Sequence, residues 1–141
     1  MLASCSDVPK CNYVGVSSEG ANAGCMVVHN KKILIVEDNS GLLSLPGGSM
    51  NPGEIAQCTA EREVWEETGI VVKANNKIET FANGFQLFDC EALGAQIMDG
   101  SNRPWRFEVD EVHWVGLVEL SKGRWRFPKQ VALMRQYLED K

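Results

Sequence analysis

The chain has 141 residues, of which 44% are hydrophobic and 23% charged, a composition typical of one globular domain with its own core. The net charge of −5 argues against a protein that binds nucleic-acid polymers, because such proteins present a basic face. No apolar run is long enough to span a bilayer, and no apolar region precedes Cys5 as it would in an intact signal peptide.

The N-terminal part of the chain predicts a tail followed by a hairpin. Residues 1–10 are small and polar and predict a disordered tail, which leaves residues 11–141 as the folded domain. A short strand is predicted over residues 11–17. Two β-branched runs at 24–29 and 33–37 are separated by turn residues, and this pattern predicts a β-hairpin.

The sequence Pro-Gly-Gly at residues 46–48 predicts a turn that a ligand can approach closely. Glycine admits backbone conformations that are closed to other residues, and it carries no side chain that would hinder a phosphate or a metal ion. Gly47 and Gly48 are therefore candidate substrate-binding residues, and the Gly48 carbonyl is a candidate metal ligand. A simple tight turn is the alternative, and it is compatible with both roles.

A helix is predicted next, beginning after an Asn-Pro-Gly turn and ending at Gly69, since glycine is typical of helix C-termini. Residues three or four positions apart share one face of a helix, so Glu63 points the same way as Glu66 and Glu67. Three carboxylates on one patch repel one another unless a cation lies among them. Oxygen ligands at this density suit Mg²⁺ or Mn²⁺.

The remaining chain predicts more strands and a second helix. Apolar and β-branched runs predict strands at 70–72, 78–81, 84–90 and 112–115. Residues 91–102 lack a clear period and predict a loop, and residues 118–120 predict the opening of a turn. Residues 129–139 carry apolar side chains at helical spacing and predict an amphipathic helix that packs on the core. Mixed strands with two helices predict an α/β fold of the α+β type or a three-layer α/β/α sandwich.

The glycines and the acidic helix together match a family signature. The pattern is Gly, five residues, Glu, seven residues, then Arg-Glu-apolar-x-Glu-Glu-x-Gly-apolar. Its fixed places within residues 48–70 are filled by Gly48, Glu54, Arg62, Glu63, Val64, Glu66, Glu67, Gly69 and Ile70. This stretch resembles a Nudix box, and the chain resembles a Nudix hydrolase. A solvated acidic helix with an ion pair between Arg62 and Glu66 would explain the charges but not the spacing of Gly48 and Glu54.

The resemblance implies the Nudix α/β/α sandwich with a mixed sheet. It also implies a metal-dependent hydrolase that cleaves the diphosphate linkage of a nucleoside triphosphate, ADP-ribose or a related nucleotide by water attack at phosphorus. Glu63, Glu66 and Glu67 are then expected to hold Mg²⁺ or Mn²⁺, and one of them or a nearby carboxylate to act as the base. Arg62 is expected to orient a glutamate through paired hydrogen bonds.

The same resemblance leaves a second class of function open. The alternative is a catalytically silent nucleotide sensor or interaction module on the same fold. The complete box argues against it, since a silent protein would have little need of all three glutamates. The expected partner is a small nucleotide-type molecule in either case, and the oligomeric state is left open, a homodimer included.

Further candidate site residues lie in the C-terminal half of the chain. Candidates for an additional metal ligand or base are Glu108, Asp110 and Glu111. Candidates for stacking on a base or holding a phosphate are Trp105, Arg106, Trp125 and Arg126, with Trp105 and Arg106 preferred. Packing in the core or on the surface is the alternative for each of these four.

The cysteines bear on the compartment. The chain has five, Cys5, Cys11, Cys25, Cys58 and Cys90, and none are in C-x-x-C spacing. We expect at least one disulfide, with Cys11–Cys25 and Cys58–Cys90 as the pairs to test, although four cysteines allow three connectivities. The Leu-Ala-Ser-Cys start resembles the end of a bacterial lipoprotein cleavage site and favours an exported protein. The Nudix resemblance instead implies a cytoplasmic protein with free, buried thiols.

Overall fold

The computed structural model describes residues 10–11, 13, 20–94 and 111–140. The elements in these ranges are β1 (Ala23–His29), β2 (Lys32–Glu37), β3 (Leu43–Ser44), β4 (Gly47–Gly48), α1 (Ala56–Thr68), β5 (Val72–Thr80), β6 (Gln86–Ala92), β7 (Glu111–Val115), α2 (Leu117–Leu120) and α3 (Gln130–Asp140). The predicted tail and the strand predicted at 11–17 lie outside the described residues, apart from residues 10, 11 and 13. Trp105, Arg106, Glu108 and Asp110 also lie outside them.

Strand β1 lies at the centre of a mixed sheet with the order β3-β2-β1-β6-β5. It pairs with β6 in parallel and with β2 antiparallel, while β4 pairs with its first residues and β7 pairs with β2. The β1–β2 connection turns at Asn30 and Lys31, whose φ values are 51° and 61°. Positive φ at both central residues is the requirement of a two-residue type I′ turn, so the predicted hairpin is confirmed.

Helices cover both faces of the sheet. Successive residues of a strand point to opposite faces, and β1 divides accordingly. Cys25 and Val27 join a core cluster with Val64 of α1, whereas Met26 joins a second cluster with Met134 of α3. The predicted α/β/α sandwich is therefore confirmed. No helix within the described ranges is both long and apolar enough to cross a membrane.

The structure corrects the prediction for two strands and for one turn. The sequence separates a strand at 70–72 from one at 78–81, whereas β5 is continuous and stays paired with β6 through two shifts in register. Such shifts let a strand continue across a break in its alternation. Residues 118–120 form part of the short helix α2 rather than the opening of a turn. The Glu119 carboxylate accepts a hydrogen bond from the Gly116 N–H at 2.9 Å at the start of that helix.

Two disulfides connect four of the five cysteines. They join Cys11 to Cys58 and Cys25 to Cys90, with Cα–Cα distances of 5.5 and 5.6 Å. Both distances lie within the range that a disulfide permits. The pairs expected from the sequence, Cys11–Cys25 and Cys58–Cys90, are therefore wrong. The fifth cysteine, Cys5, lies outside the described residues.

The observed pairing follows from which strands are neighbours. Cys25 and Val27 are two residues apart in β1 and therefore share the face that packs against α1. Val27 lies opposite Cys90 of the adjacent parallel strand β6, so Cys25 and Cys90 are diagonal neighbours on that face. The other disulfide fixes residue 11 to the helix, and Tyr13 of the same segment packs against the cluster beneath α1. The Tyr13 hydroxyl donates a hydrogen bond to the carbonyl of Ala74 in β5.

We expect the unreduced, denatured protein to take up no more than one thiol label and the reduced protein to take up five. Each disulfide contributes about 2–4 kcal/mol to stability, so reduction should also lower the melting temperature. Intact-mass measurement after alkylation and peptide mapping test these statements. A peptide joining Cys11 to Cys25, or five labelled thiols without reductant, would contradict the pairing. Because disulfides persist in oxidising compartments, the expected result would favour the exported protein over the cytoplasmic one.

Candidate active site

The acidic helix α1 is anchored by its apolar side and ended by glycine. It begins at Ala56, a few residues later than the turn that precedes it suggests, and Gly69 follows its last residue with a left-handed φ of 75°. The Gly69 N–H donates to the Trp65 carbonyl at 2.8 Å, which closes the final turn as predicted. Ala60 and Val64 are fully buried against the sheet. This packing fixes which face of α1 the glutamates occupy.

Arg62 is the centre of the ion-pair network that orders the acidic face. Its guanidinium donates to Glu54 at 2.8 and 3.0 Å, to Glu63 at 3.0 Å and to Glu66 at 3.0 Å. A further hydrogen bond of 2.7 Å reaches the Ser49 carbonyl in the loop before the helix. The contact with Glu54 is bidentate, which fixes both partners more firmly than a single bond would. The structure thus places Arg62 among the glutamates, as an orienting residue would be placed.

Glu54 holds the loop before α1 to the helix. Hydrogen bonding to Glu54 raises the pKa of Arg62 despite the burial of the guanidinium, so this cation stays charged. Burial would raise the pKa of Glu54, but hydrogen bonds from Arg62, the Asn51 N–H and the Thr59 hydroxyl outweigh it and lower that pKa. The pair is therefore ionised at neutral pH, and Glu54 acts within the scaffold of the site.

The two glycines of β4 lie directly against the acidic face. The Gly47 N–H donates to the Glu67 carboxylate at 3.0 Å. A Cβ placed on Gly48 would lie 2.5 Å from the carboxyl carbon of Glu63, closer than any real side chain permits. A side chain at residue 48 would displace the Glu63 carboxylate from this position, and pairing of β4 with the start of β1 fixes the backbone beside it. The turn predicted at residues 46–48 is thus a short strand that faces the glutamates.

The donor set on this face fits a hard divalent cation. Glu63, Glu66 and Glu67 offer carboxylate oxygens on one helix, and the backbone of Gly48 comes close to the Glu63 carboxylate. Mg²⁺ and Mn²⁺ prefer oxygen ligands of these kinds. The guanidinium of Arg62 offsets part of the negative charge and holds the carboxylates of Glu63 and Glu66 together.

Glu61 belongs to the core rather than to the acidic face, although it is the neighbour of Arg62. The residue is 9% exposed, and its carboxylate accepts the Ala74 N–H at 2.8 Å. Burial raises the pKa of Glu61. Burial, together with the negative charge of Glu61, also raises the pKa of Tyr13 to about 12. Glu61 and Glu63 are two positions apart in the helix, a rotation of about 200°, so their side chains point to opposite faces of α1.

A cavity of about 630 Å³ opens beside the acidic face. Cavities of this size hold small-molecule ligands. Of the three metal-binding candidates, Glu67 is the one that lines the cavity, together with Gly47 and Gly48. The cavity continues past Asp38, Phe81, Phe85, Arg126, Phe127 and Lys129. A nucleotide-sized ligand can therefore reach Glu67 with one end.

The structure separates the two stacking candidates that it describes. Trp125 is partly buried, packs against the second core cluster and donates its indole N–H to the Leu120 carbonyl at 2.9 Å, which favours the packing alternative for this residue. Arg126, the next residue, does line the cavity. One of its guanidinium nitrogens lies 4.0 Å from the Asp38 carboxylate. Neither Asp38 nor Phe127 stood out in the sequence, because neither belongs to a periodic pattern or a motif.

Glu111 lies in a different group from the three glutamates of α1. It is opposite Glu37 in the pairing of β7 with β2, and His113 lies between them at 2.8 Å from Glu37 and 3.7 Å from Glu111. Possible ligand atoms of the three lie within 4.8 Å of one another, so they are able to share a cation. None of the three lines the cavity. Glu111 is thus placed away from the reaction site that the sequence suggested for it.

These features together define a class: an α/β/α sandwich in which an acidic helix and a glycine strand form one end of a nucleotide-sized cavity. The sequence model of the NUDIX domain matches residues 19–137. The chain therefore belongs to the Nudix hydrolase family and is a Nudix-type hydrolase.

Solved structures agree with this fold. A NUDIX hydrolase from Nitrosomonas europaea superposes with a TM-score of 0.69 at 19% identity, over 84% of this chain and 90% of that one. An ADP-ribose pyrophosphatase from Streptococcus suis gives 0.65 at 22% identity, over 82% and 89% of the two chains. An Ap4A hydrolase from C. elegans gives 0.63 at 15% identity, over 82% and 94%. At these identities the likeness shows the fold alone.

Proposed function

We propose that the protein hydrolyses the diphosphate linkage of a nucleoside diphosphate derivative, with Mg²⁺ or Mn²⁺ held by Glu63, Glu66 and Glu67. The observation that carries the proposal is that Glu67 lines the cavity with Gly47 and Gly48 and accepts the Gly47 N–H, while the Glu63 carboxylate lies against Gly48. Solved structures of the same fold include an ADP-ribose pyrophosphatase and an Ap4A hydrolase, which supports a substrate of this class.

The chain's own residues divide the work between binding and proton transfer. A bound divalent cation would lower the pKa of a coordinated water and neutralise charge on the diphosphate. Gly47 and Gly48 leave room for the diphosphate because they carry no side chains. Glu67 both lines the cavity and is fixed by the Gly47 N–H, so we assign to its carboxylate the removal of the proton from the attacking water. Arg62 keeps Glu63 and Glu66 in place by donating a hydrogen bond to each.

The charge of the cavity also suits an anionic substrate. Arg126 and Lys129 are among the residues that line it. Cations in a cleft attract an anionic ligand and raise its local concentration. The negative charge of the glutamates would repel the same ligand, and a bound cation reverses that local sign. The cavity thus suits an anionic ligand such as a diphosphate once a cation is bound.

We expect Mg²⁺-dependent release of a mononucleotide, together with the other half of the diphosphate, from at least one of ADP-ribose, a dinucleoside polyphosphate, a nucleotide sugar or a nucleoside triphosphate. In ¹⁸O-labelled water, mass spectrometry should find one labelled oxygen on phosphorus in the products. Comparable hydrolysis of a simple phosphomonoester, or full activity in EDTA, would contradict the proposal. Binding of nucleotides without any turnover would favour the silent sensor.

A further inference from the structure

Phe127 is an exposed aromatic residue on the wall of the cavity. It is 43% exposed, although burial of a phenylalanine side chain stabilises a protein by about 1.5–3 kcal/mol. Two other aromatic residues, Phe81 and Phe85, also line the cavity. Their rings pack against each other at 6.3 Å and against the second core cluster. Phe127 is therefore the ring in the described lining that is most available to a ligand.

The backbone holds Phe127 in this exposed position. The Leu43 N–H donates to the Arg124 carbonyl at 2.8 Å, and the Arg126 N–H donates to the Leu43 carbonyl at 2.9 Å. The indole of Trp125 anchors the same segment in the core. On the other side, the Phe127 carbonyl accepts the Gln130 N–H at 2.9 Å at the start of α3. The exposure of the ring is thus a property of a well-bonded segment.

A cation and a neighbouring carboxylate line the cavity together with the ring. The Arg126 guanidinium lies over one face of Phe127, 5.3 Å from the ring centroid. Its nearest carboxylate belongs to Asp38, at 4.0 Å, and Asp38 is itself held by N–H groups of Ser40 and Leu42 at 2.8 and 3.0 Å. The wall therefore combines a planar surface, a hydrogen-bond donor and a hydrogen-bond acceptor.

We propose that Phe127, Arg126 and Asp38 bind the base of a purine nucleotide substrate. Bases stack on aromatic rings and on guanidinium planes, and their edges present N–H groups beside acceptor atoms. A purine offers the larger stacking surface. The same cavity joins this wall to Glu67, so one ligand can place its base on Phe127 and its diphosphate at the glutamates. This inference rests on the proposed function and adds the base to it.

We expect Phe127→Ala to lower kcat/KM for an adenine nucleotide substrate about 10- to 100-fold, mainly through KM, because stacking acts on binding. Phe127→Trp should restore most of the loss. The ratio of kcat/KM values for adenine and uracil substrates with the same leaving group should fall in Phe127→Ala. Val118→Ala, at an exposed apolar residue of α2 outside the cavity, is the matched control and should leave all values unchanged.

Asp38→Asn tests the contact with the base edge. Asparagine keeps an oxygen for the two backbone N–H groups and presents an amide donor in place of the second carboxylate oxygen. We expect kcat/KM to shift from adenine toward hypoxanthine substrates, because the exocyclic amino group of adenine is replaced there by an acceptor. An unchanged ratio of the two kcat/KM values would show that Asp38 does not contact the base.

Binding of AMP in EDTA, followed by NMR, separates this inference from the proposed function. If the wild type turns over no diphosphate but binds AMP, and Phe127→Ala weakens that binding, the base-binding inference is supported and the hydrolase proposal fails. If the wild type hydrolyses nucleotides while Phe127→Ala leaves KM, base preference and AMP binding unchanged, the base-binding inference is wrong and the hydrolase proposal is unaffected. An equal loss on nucleotide and non-nucleotide diphosphates would also overturn it, since that result indicates a general effect on the fold.

Discussion

Replacement of Glu67 by glutamine is expected to lower kcat by about two to four orders of magnitude and to leave the fold intact. Glutamine has nearly the same size, and its amide oxygen can still accept the Gly47 N–H that Glu67 accepts at 3.0 Å. A neutral amide is a poorer ligand for a hard cation, and it cannot take a proton from water at neutral pH. Initial rates at saturating substrate and Mg²⁺ measure the effect, with circular dichroism as the check on folding.

Glu79→Gln is the matched control for this experiment. Glu79 is an exposed glutamate of β5, and the same chemical change there should leave kcat and KM at wild-type values. Mn²⁺ binding followed by electron paramagnetic resonance gives a second measurement that does not depend on turnover, and Glu67→Gln should bind Mn²⁺ more weakly. Normal turnover by Glu67→Gln would show that its carboxylate neither holds the cation nor takes the proton.

The features that the sequence predicted well are local. Glu63, Glu66 and Glu67 share a face because of helical spacing alone, and Gly69 ends the helix through its own backbone conformation. The hairpin turn at Asn30 and Lys31 is likewise a property of adjacent residues. Such features need no knowledge of which elements become neighbours in space.

The features that the sequence missed depend on contacts between distant segments. The disulfide between Cys25 and Cys90 requires β1 and β6 to be adjacent, which no local pattern in either strand shows. Trp125 and Phe127 have similar neighbours in the sequence. Leu43 pairs with Trp125, which packs against the core, and this pairing leaves Phe127 on the cavity wall. Periodicity indicates which face of an element is buried, but it does not indicate what lies across from it.

Arg62 links the structural and chemical roles of the acidic face. Its side chain is 16% exposed, and the side chains of Glu54, Glu63 and Glu66 are 14%, 15% and 25% exposed. Removing one partner of a largely buried ion pair leaves the other charges uncompensated in a medium that solvates them poorly. In EDTA we therefore expect Arg62→Ala to lower the free energy of unfolding by about 2–4 kcal/mol, allowing for the partial exposure of the group.

The rise in melting temperature on adding Mg²⁺ should be larger than in the wild type for Arg62→Ala and smaller for Glu67→Gln. In Arg62→Ala, bound Mg²⁺ would replace the missing positive charge, so the melting temperature should rise more on adding Mg²⁺ than in the wild type. In Glu67→Gln it should rise less, because a ligand is lost. Arg135→Ala in α3 is the control and should respond as the wild type does. Equal shifts in all four proteins would contradict a cation site on α1, since a purely structural ion-pair network loses stability without gaining any dependence on Mg²⁺.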